Sequence, residues 1–322
     1  MVSEITIVSA RTELATDVVR IPTGDLWAEF LKLQISDATK ETYAAAIADF
    51  CHFANPELAI ERSIGWFLKL RQEEAIWIAL KYKAQLQVDD FAPSTINVRL
   101  SAMKSLVNYA RKLGQCGFNL ADVKGVKAQT YRDTSGVSPE VFKLIIDTLD
   151  RATVMGKRDY AILRLLWDNA LRRFEVAGVS IGDYREGKLW IKGKGRMQRE
   201  SVDLSAKSML AIEDWLGVRG SVNGLDPLFV ALDRKCYGMR LSGRSIDRIL
   251  KRTAAKAQAT TKVLSPHRIR HSSITAVLDA TNGDVRRVRK FSRHKKVETV
   301  IIYDENRLRD QGDLTDLISD LV

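Results

Sequence analysis

Cysteine, histidine and proline are all scarce in this chain. Its three cysteines, Cys51, Cys116 and Cys236, are far apart and odd in number, which excludes a disulfide framework and a CxxC metal knuckle. That usage fits a reducing compartment. No run approaches the roughly 20 apolar residues of a membrane helix. The opening MVSEITIVSARTELATD lacks the basic-then-apolar order of a signal peptide. These absences lead us to expect a cytoplasmic protein without membrane contact. Internal repeats and low-complexity tracts are also missing, so solenoid and fibrous architectures fall away.

What is present describes a globular chain of 322 residues, 45% apolar and 28% charged. That length exceeds what one core ordinarily supports, so two domains are expected. The charge is uneven. Residues 1–130 hold 15 basic and 15 acidic side chains, while residues 131–322 hold 36 basic and 25 acidic, the whole of the +11 excess. A basic half suggests a polyanionic partner, because Lys and Arg that displace counterions from phosphates supply most nonspecific nucleic-acid affinity.

Residues 1–24 show no period and read as a flexible lead-in. From Asp25 the spacing turns helical, through Leu26, Phe30 and Leu33, then Tyr43, Ile47 and Phe50, with Ser36 to Thr39 supplying an N-cap. Pro93 and Ser94 open a helix whose stripe is Ile96, Leu100, Met103, Val107 and Ala110 and which Gly114 ends. Arg99, Lys104, Arg111 and Lys112 lie off that stripe, either as a solvated face or as a helix presented to a phosphate backbone. Residues 129–137 make the linker, inside a glycine-bearing stretch without sustained period. Ser138-Pro139-Glu140 then reads as the start of a new helix. In KLWIKGKGRMQRESVDL, alternation before and after Gly193-Lys194-Gly195 predicts a β-hairpin with a basic turn. The predicted fold class is mainly α with a small antiparallel sheet, as two domains, 25–128 and 138–322. A helical tail spans 313–322, with Leu314, Leu317, Ile318 and Leu321 at helical spacing.

Three of the four histidines, His267, His271 and His294, fall in the basic half. His267 and His271 have the i, i+4 spacing of metal ligands, but Arg268, Arg270, Arg286, Arg287 and Arg289 around them would repel a dication, so no metal is expected. His271 follows Ile274 and Ile269 toward the core. His267 and Arg270 at i, i+3 suit a phosphodiester better, an imidazole beside a bidentate guanidinium. RRVRKFSRHKK, residues 286–296, carries seven Lys/Arg around His294, and Tyr303 stands nine residues beyond it. Singly, each has a bland reading as a solvated charge run or a core aromatic.

Their order is more specific. LRRFE, IKGKGR, HRIRH and RHKKVETVIIY stand in sequence, and the series resembles the tyrosine recombinases, the phage integrases and the recombinases that resolve plasmid and chromosome dimers. The resemblance takes in residues 138–322 through all its motifs, and 25–128 more loosely, with STINVRLSA similar to the family's core-binding domain. It implies a C-shaped, two-domain clamp on double-stranded DNA carrying an inverted-repeat core site, and a homotetramer exchanging C-terminal tails. It also implies nucleoid association, and no cofactor. Carried over residue by residue, Tyr303 is the nucleophile, Arg172 and Arg270 clamp the phosphate, and His294 adds a hydrogen bond. His267 is the acid/base group, Lys194 the general acid and Glu175 the orienting carboxylate. Arg99, Lys104, Arg111, Lys112, Arg173 and Arg293 are the expected DNA-binding residues.

Two features depart from the pattern. Arg173 directly follows Arg172, so the assignment rests on counting back three from Glu175. Ser292-Arg293 also stand where the family often has Leu-Gly. Lys192 and Arg196 flank Lys194 as alternatives. The lead-in 1–24 is too short for the arm-binding domain of larger integrases. The activity implied is site-specific recombination through a 3′-phosphotyrosyl intermediate and a Holliday junction, without ATP. Alternatives are a type IB topoisomerase-like nicking-closing enzyme and a non-catalytic DNA-binding protein of the same fold.

Overall fold

The structure is a computed structural model that describes residues 26–34, 36–127, 136–193, 198–221, 223–260, 263–305, 315–316 and 318–320. The lead-in 1–24, Lys194 and Arg196, and the tail residues Leu314, Leu317 and Leu321 lie outside the described residues, as does the linker apart from residues 136–137. The chain divides into two compact units, Met1–Thr130 and Tyr131–Val322, a division inside the expected linker.

The first unit is all helical among its described residues: α1 (Leu26–Lys32), α2 (Asp37–Ala54), α3 (Ile60–Phe67), α4 (Gln72–Val88) and α5 (Pro93–Lys112). Ser36 caps α2 by accepting from the Thr39 amide, satisfying one of the helix's orphan donors. Pro93 sits in the first turn of α5, where its missing N–H costs nothing. The whole predicted stripe of α5, from Ile96 to Ala110, is buried. It faces a core in which Phe50 meets Phe67 and Tyr82 edge-on at 4.8 and 5.3 Å.

The second unit begins with α6 (Pro139–Asp147), α7 (Val154–Asp168) and α8 (Arg173–Gly178). A sheet follows, with β1 (Tyr184–Arg185), β2 (Lys188–Lys192) and β3 (Arg199–Asp203) in the order 1-2-3, all antiparallel. Then come α9 (Ala206–Arg219), α10 (Gly243–Ala257), α11 (Pro266–Ala280), α12 (Val285–Ser292) and α13 (Glu298–Glu305). The predicted hairpin is β2–β3, with Lys192 opposite Arg199 and Leu189 and Ile191 turned into the core. β1 was not anticipated. It is two residues long and joins β2 through Glu186 and Gly187, both at positive φ (+53° and +71°), the geometry of a tight hairpin turn.

Two clusters organise this unit. The larger is built on α7, whose Ile162, Leu163, Leu165 and Leu166 are fully buried, and on Trp215 of α9. Each such aliphatic side chain contributes about 1.5–3 kcal/mol. The smaller joins Ala170, Ile274, Leu278, Val288, Val300 and Tyr303, and so gathers α11, α12, α13 and the α7–α8 turn around one point. No helix among the described residues is long and apolar enough to cross a membrane.

Candidate active site

The α7–α8 turn delivers the first arginine. After Asn169 caps α7, Ala170 adopts φ +45°, a left-handed conformation that strains any residue with a Cβ. This bend points the Ala170 carbonyl inward and leaves Arg172 at the N-cap of α8. Glu175, three residues on, accepts from the Arg172 amide at 2.9 Å and from its guanidinium at 2.8 Å. The R-x-x-E spacing is therefore a helix cap that also fixes the side chain of the capped residue. Arg71 and Glu74 make the same pair of bonds on the exposed start of α4, in the first unit, so the spacing alone does not mark a site.

The second arginine comes from α11, opened by Ser265, which accepts from the Arg268 amide, and by Pro266. Arg270 is 1% exposed, and its guanidinium donates to the carbonyls of Ala170 and Ser292 and to Nε2 of His294 at 3.3 Å. Burial first, then the like charges of Arg172 and Arg293, push Arg270 down to about 9, still a cation at neutral pH. On the same helix His267 is exposed and His271 buried, their Nε2 atoms 2.7 Å apart in a hydrogen bond. No cluster of metal-ligating side chains occurs among the described residues.

His294 follows the C-cap of α12, and its neutral tautomer is set by its neighbours. Guanidinium groups only donate, so Nε2 accepts from Arg270, and Nδ1–H donates to Ser292 Oγ at 2.9 Å. The expected phosphate donor thus presents Nε2 as an acceptor to Arg270. Desolvation, followed by Arg270, Arg172 and Arg293, lowers His294 to about 4 from an ordinary 6.5. Between these values the unfolded chain binds the extra proton and the folded chain does not, so stability rises with pH across that window. Melting temperature should therefore fall as pH drops from 6.5 toward 4, and the slope should flatten in His294→Asn. Parallel melting curves for the two proteins would show that His294 is not held neutral.

Tyr303 completes the group from α13. It is 4% exposed, packed with Val300, with its ring 4.9 Å from that of His271 and 5.9 Å from that of His294. The structure thus brings Arg172, Glu175, His267, Arg270, His294 and Tyr303 together. Lys194 lies beyond the described end of β2, outside the described residues.

The expected DNA contacts fare differently. Arg111 and Lys112 are exposed at the end of α5, and Lys104 is half-buried. Arg99 pairs with Asp49 and lies 4.2 Å over the Phe91 ring. Arg173 is exposed, its stem against Gly243 at the start of α10. Arg293, expected among the DNA-binding residues, is directed elsewhere from the other five. Its side chain is 10% exposed and turned inward, donating to Asn169, Ala170 and Phe291 carbonyls and, at 3.1 Å, to Glu175. Burial lowers its pKa despite that carboxylate. It is held inside the site, and the exposed charge nearby belongs to Arg286, Arg287, Arg289, Lys290, Lys295 and Lys296.

Sequence reasoning missed three parts of the site. The Ala170 and Ser292 carbonyls carry no side-chain signature. His271, expected in the core, is buried but also bonds His267 beside Tyr303. Arg293 had one signal, its departure from the Leu-Gly pattern.

Residues 137–309 match the phage integrase family. The chain is 50% identical over 296 residues to a tyrosine recombinase of Synechocystis sp., covering 91% of this chain and 94% of that one. It is 47% identical over 263 residues to a tyrosine recombinase of Synechococcus elongatus, covering 81% and 82%. Among solved structures it is similar to the XerH site-specific recombinase bound to palindromic difH substrate, with TM-score 0.62 and 17% identity over 88% of this chain and 80% of that one. It is also similar to a lambda integrase dimer bound to a COC′ core site, with TM-score 0.63 and 12% identity over 88% and 95%.

Proposed function

This chain belongs to the phage integrase family of tyrosine recombinases, and from that premise we propose that it exchanges DNA strands at a specific site through a 3′-phosphotyrosyl intermediate on Tyr303. The observation that carries the proposal is the convergence of two guanidiniums, two imidazoles and a tyrosine on the small cluster around Ala170.

Phosphodiesters react so slowly that catalysis must remove barrier toward the upper end of about 8–23 kcal/mol. Arg172 and Arg270 supply fixed positive charge where the nonbridging oxygens become more negative. Tyr303 attacks phosphorus, its O–P bond forming as the bond to the 5′-oxygen breaks. His267, hydrogen-bonded to the His271 ring that lies against Tyr303, takes the phenolic proton, and Lys194 protonates the leaving 5′-oxygen. The arriving phosphate favours the imidazolium of His294, which turns Nε2 from acceptor to donor. The covalent bond stores the energy for rejoining, so neither metal nor ATP is consumed.

The first unit holds the duplex through Arg111 and Lys112, and the inverted-repeat site is shared by four protomers exchanging tails. The 62% exposure of Ile318 supports that role for the tail.

Capture tests this reading. A pool of nicked duplexes with a randomised centre is incubated with the protein, and denaturant-resistant adducts are sequenced. A recurring site is expected, with adduct yield unchanged by a chelator, and two labelled duplexes of that site should exchange strands. Relaxation without exchange would replace recombination by nicking and closing. Arg172→Ala should bind the captured duplex but cut it about 10²–10³-fold more slowly, the loss typical of one oxyanion donor. Loss of binding with unimpaired cutting of the bound fraction would make Arg172 a docking residue instead.

A further inference from the structure

The bond between His267 and His271 constrains both rings. Their Nε2 atoms are 2.7 Å apart, so one hydrogen lies between them, carried by one ring or the other. Two imidazoliums would set N–H against N–H, so in this arrangement the pair carries at most one positive charge. His271 is 6% exposed, and its ring meets two others, His267 edge-on at 4.1 Å and Tyr303 at 4.9 Å. His267 is exposed. A buried side chain, locked by packing, thus fixes the orientation of an exposed one.

A histidine that takes up a proton carries N–H on both ring nitrogens. When His267 does so, the 2.7 Å bond makes His271 Nε2 the acceptor, and His271 is then the tautomer protonated on Nδ1. A buried carboxylate does the same for the histidine of a Ser-His-Asp triad, holding the tautomer and stabilising the imidazolium. A neutral acceptor suits a phosphodiester better, because a carboxylate would repel the phosphate that Arg172 and Arg270 attract. We propose that His271 is a positioning residue that makes His267 a base, by accepting its Nε2–H as the proton of Tyr303 arrives. This rests on the reading of His267 as the group that takes that proton. The phenolic O–H bond breaks as the O–P bond forms, and the proton stays on His267, whose charge His271 stabilises.

The test uses the captured duplex and proteins in which Tyr303 is replaced by difluorotyrosine. The fluorines withdraw electrons, so the phenol gives up its proton more readily and depends less on a base. In single-turnover cutting of bound duplex, His267→Gln should be about 10²–10⁴-fold slower than wild type. His271→Phe, which keeps a ring against Tyr303, should be about 10–10²-fold slower, the worth of a hydrogen bond to a charged group, with binding unchanged. With difluorotyrosine at 303, each should cut within about threefold of the protein carrying difluorotyrosine alone. His271→Gln, whose amide oxygen can accept the same hydrogen, should lose less, and it carries the test if His271→Phe fails to fold. If fluorination restores His267→Gln but neither His271 variant, His271 only packs, and the proposal is overturned while the base assignment stands. A larger loss in His271→Phe than in His267→Gln would overturn it as well, by making His271 itself the base. If nothing is restored, the reading of His267 fails and the proposal falls with it.

Discussion

Tyr303→Phe should leave a protein that folds, binds its duplex and never becomes attached to it. The ring keeps its place among Ile274, Val288 and Val300 and beside His271, so the substitution removes one oxygen and little packing. Stability should change by no more than about 1 kcal/mol. Adduct formation should fall by at least about 10⁴-fold, since removing a nucleophile removes the pathway and not merely a stabilising contact. Gel-resolved adducts on the captured duplex, with binding measured in parallel, check both halves. An equal yield of adduct in the variant would move the nucleophile to another of the chain's eight tyrosines.

Arg270→Ala is expected to do the opposite to the balance of effects, injuring structure and chemistry together. The guanidinium is 1% exposed and bonds the Ala170 and Ser292 carbonyls as well as His294. Ala170 keeps Arg293 at 3.3 Å, but the buried Ser292 carbonyl loses this donor. A loss of about 2–4 kcal/mol in urea unfolding follows from unsatisfied buried groups. Single-turnover cleavage should drop by about 10³-fold or more, because the clamp loses a charge and His294 loses its partner. Arg270→Lys separates the two effects. An ammonium keeps the charge but lacks the planar fork that reaches two carbonyls at once, so cleavage should stay at least about 10²-fold down. Wild-type rates in Arg270→Lys would show that the fork geometry is not needed.

Much of this was legible in the sequence wherever a side-chain period or an ordered motif carried it. The α5 stripe follows directly from 3.6-residue spacing, and Ser36 and Ser138 announce their helices by capping chemistry. The mainly helical class with a small antiparallel sheet is what the structure has. β1 was invisible because two residues are too few for alternation to register. In the site, Arg172, Arg270, His267, His294 and Tyr303 could be found by order and spacing, which reflect the chemistry of a phosphodiester. The backbone acceptors could not, since the Ala170 and Ser292 carbonyls are placed by dihedral angles that no residue type there encodes. The inward direction of Arg293 was not legible because it depends on a left-handed turn after α12. A basic residue within a run of seven gives no hint that it points inward.

The Ala170 carbonyl sets a rule for exchange between relatives. One peptide oxygen receives hydrogen bonds from Arg270 and Arg293, side chains that are 100 and 123 residues away in the chain. A chimera that imports the stretch around residue 293 from a relative with a different residue there, while keeping this chain's bend at residue 170, inherits a socket cut for a plug it no longer has. The smallest transplantable block of this enzyme is therefore a set of three distant pieces, the turn before α8, the start of α11 and the end of α12. Natural variation at any one of them is expected to be accompanied by variation at the other two.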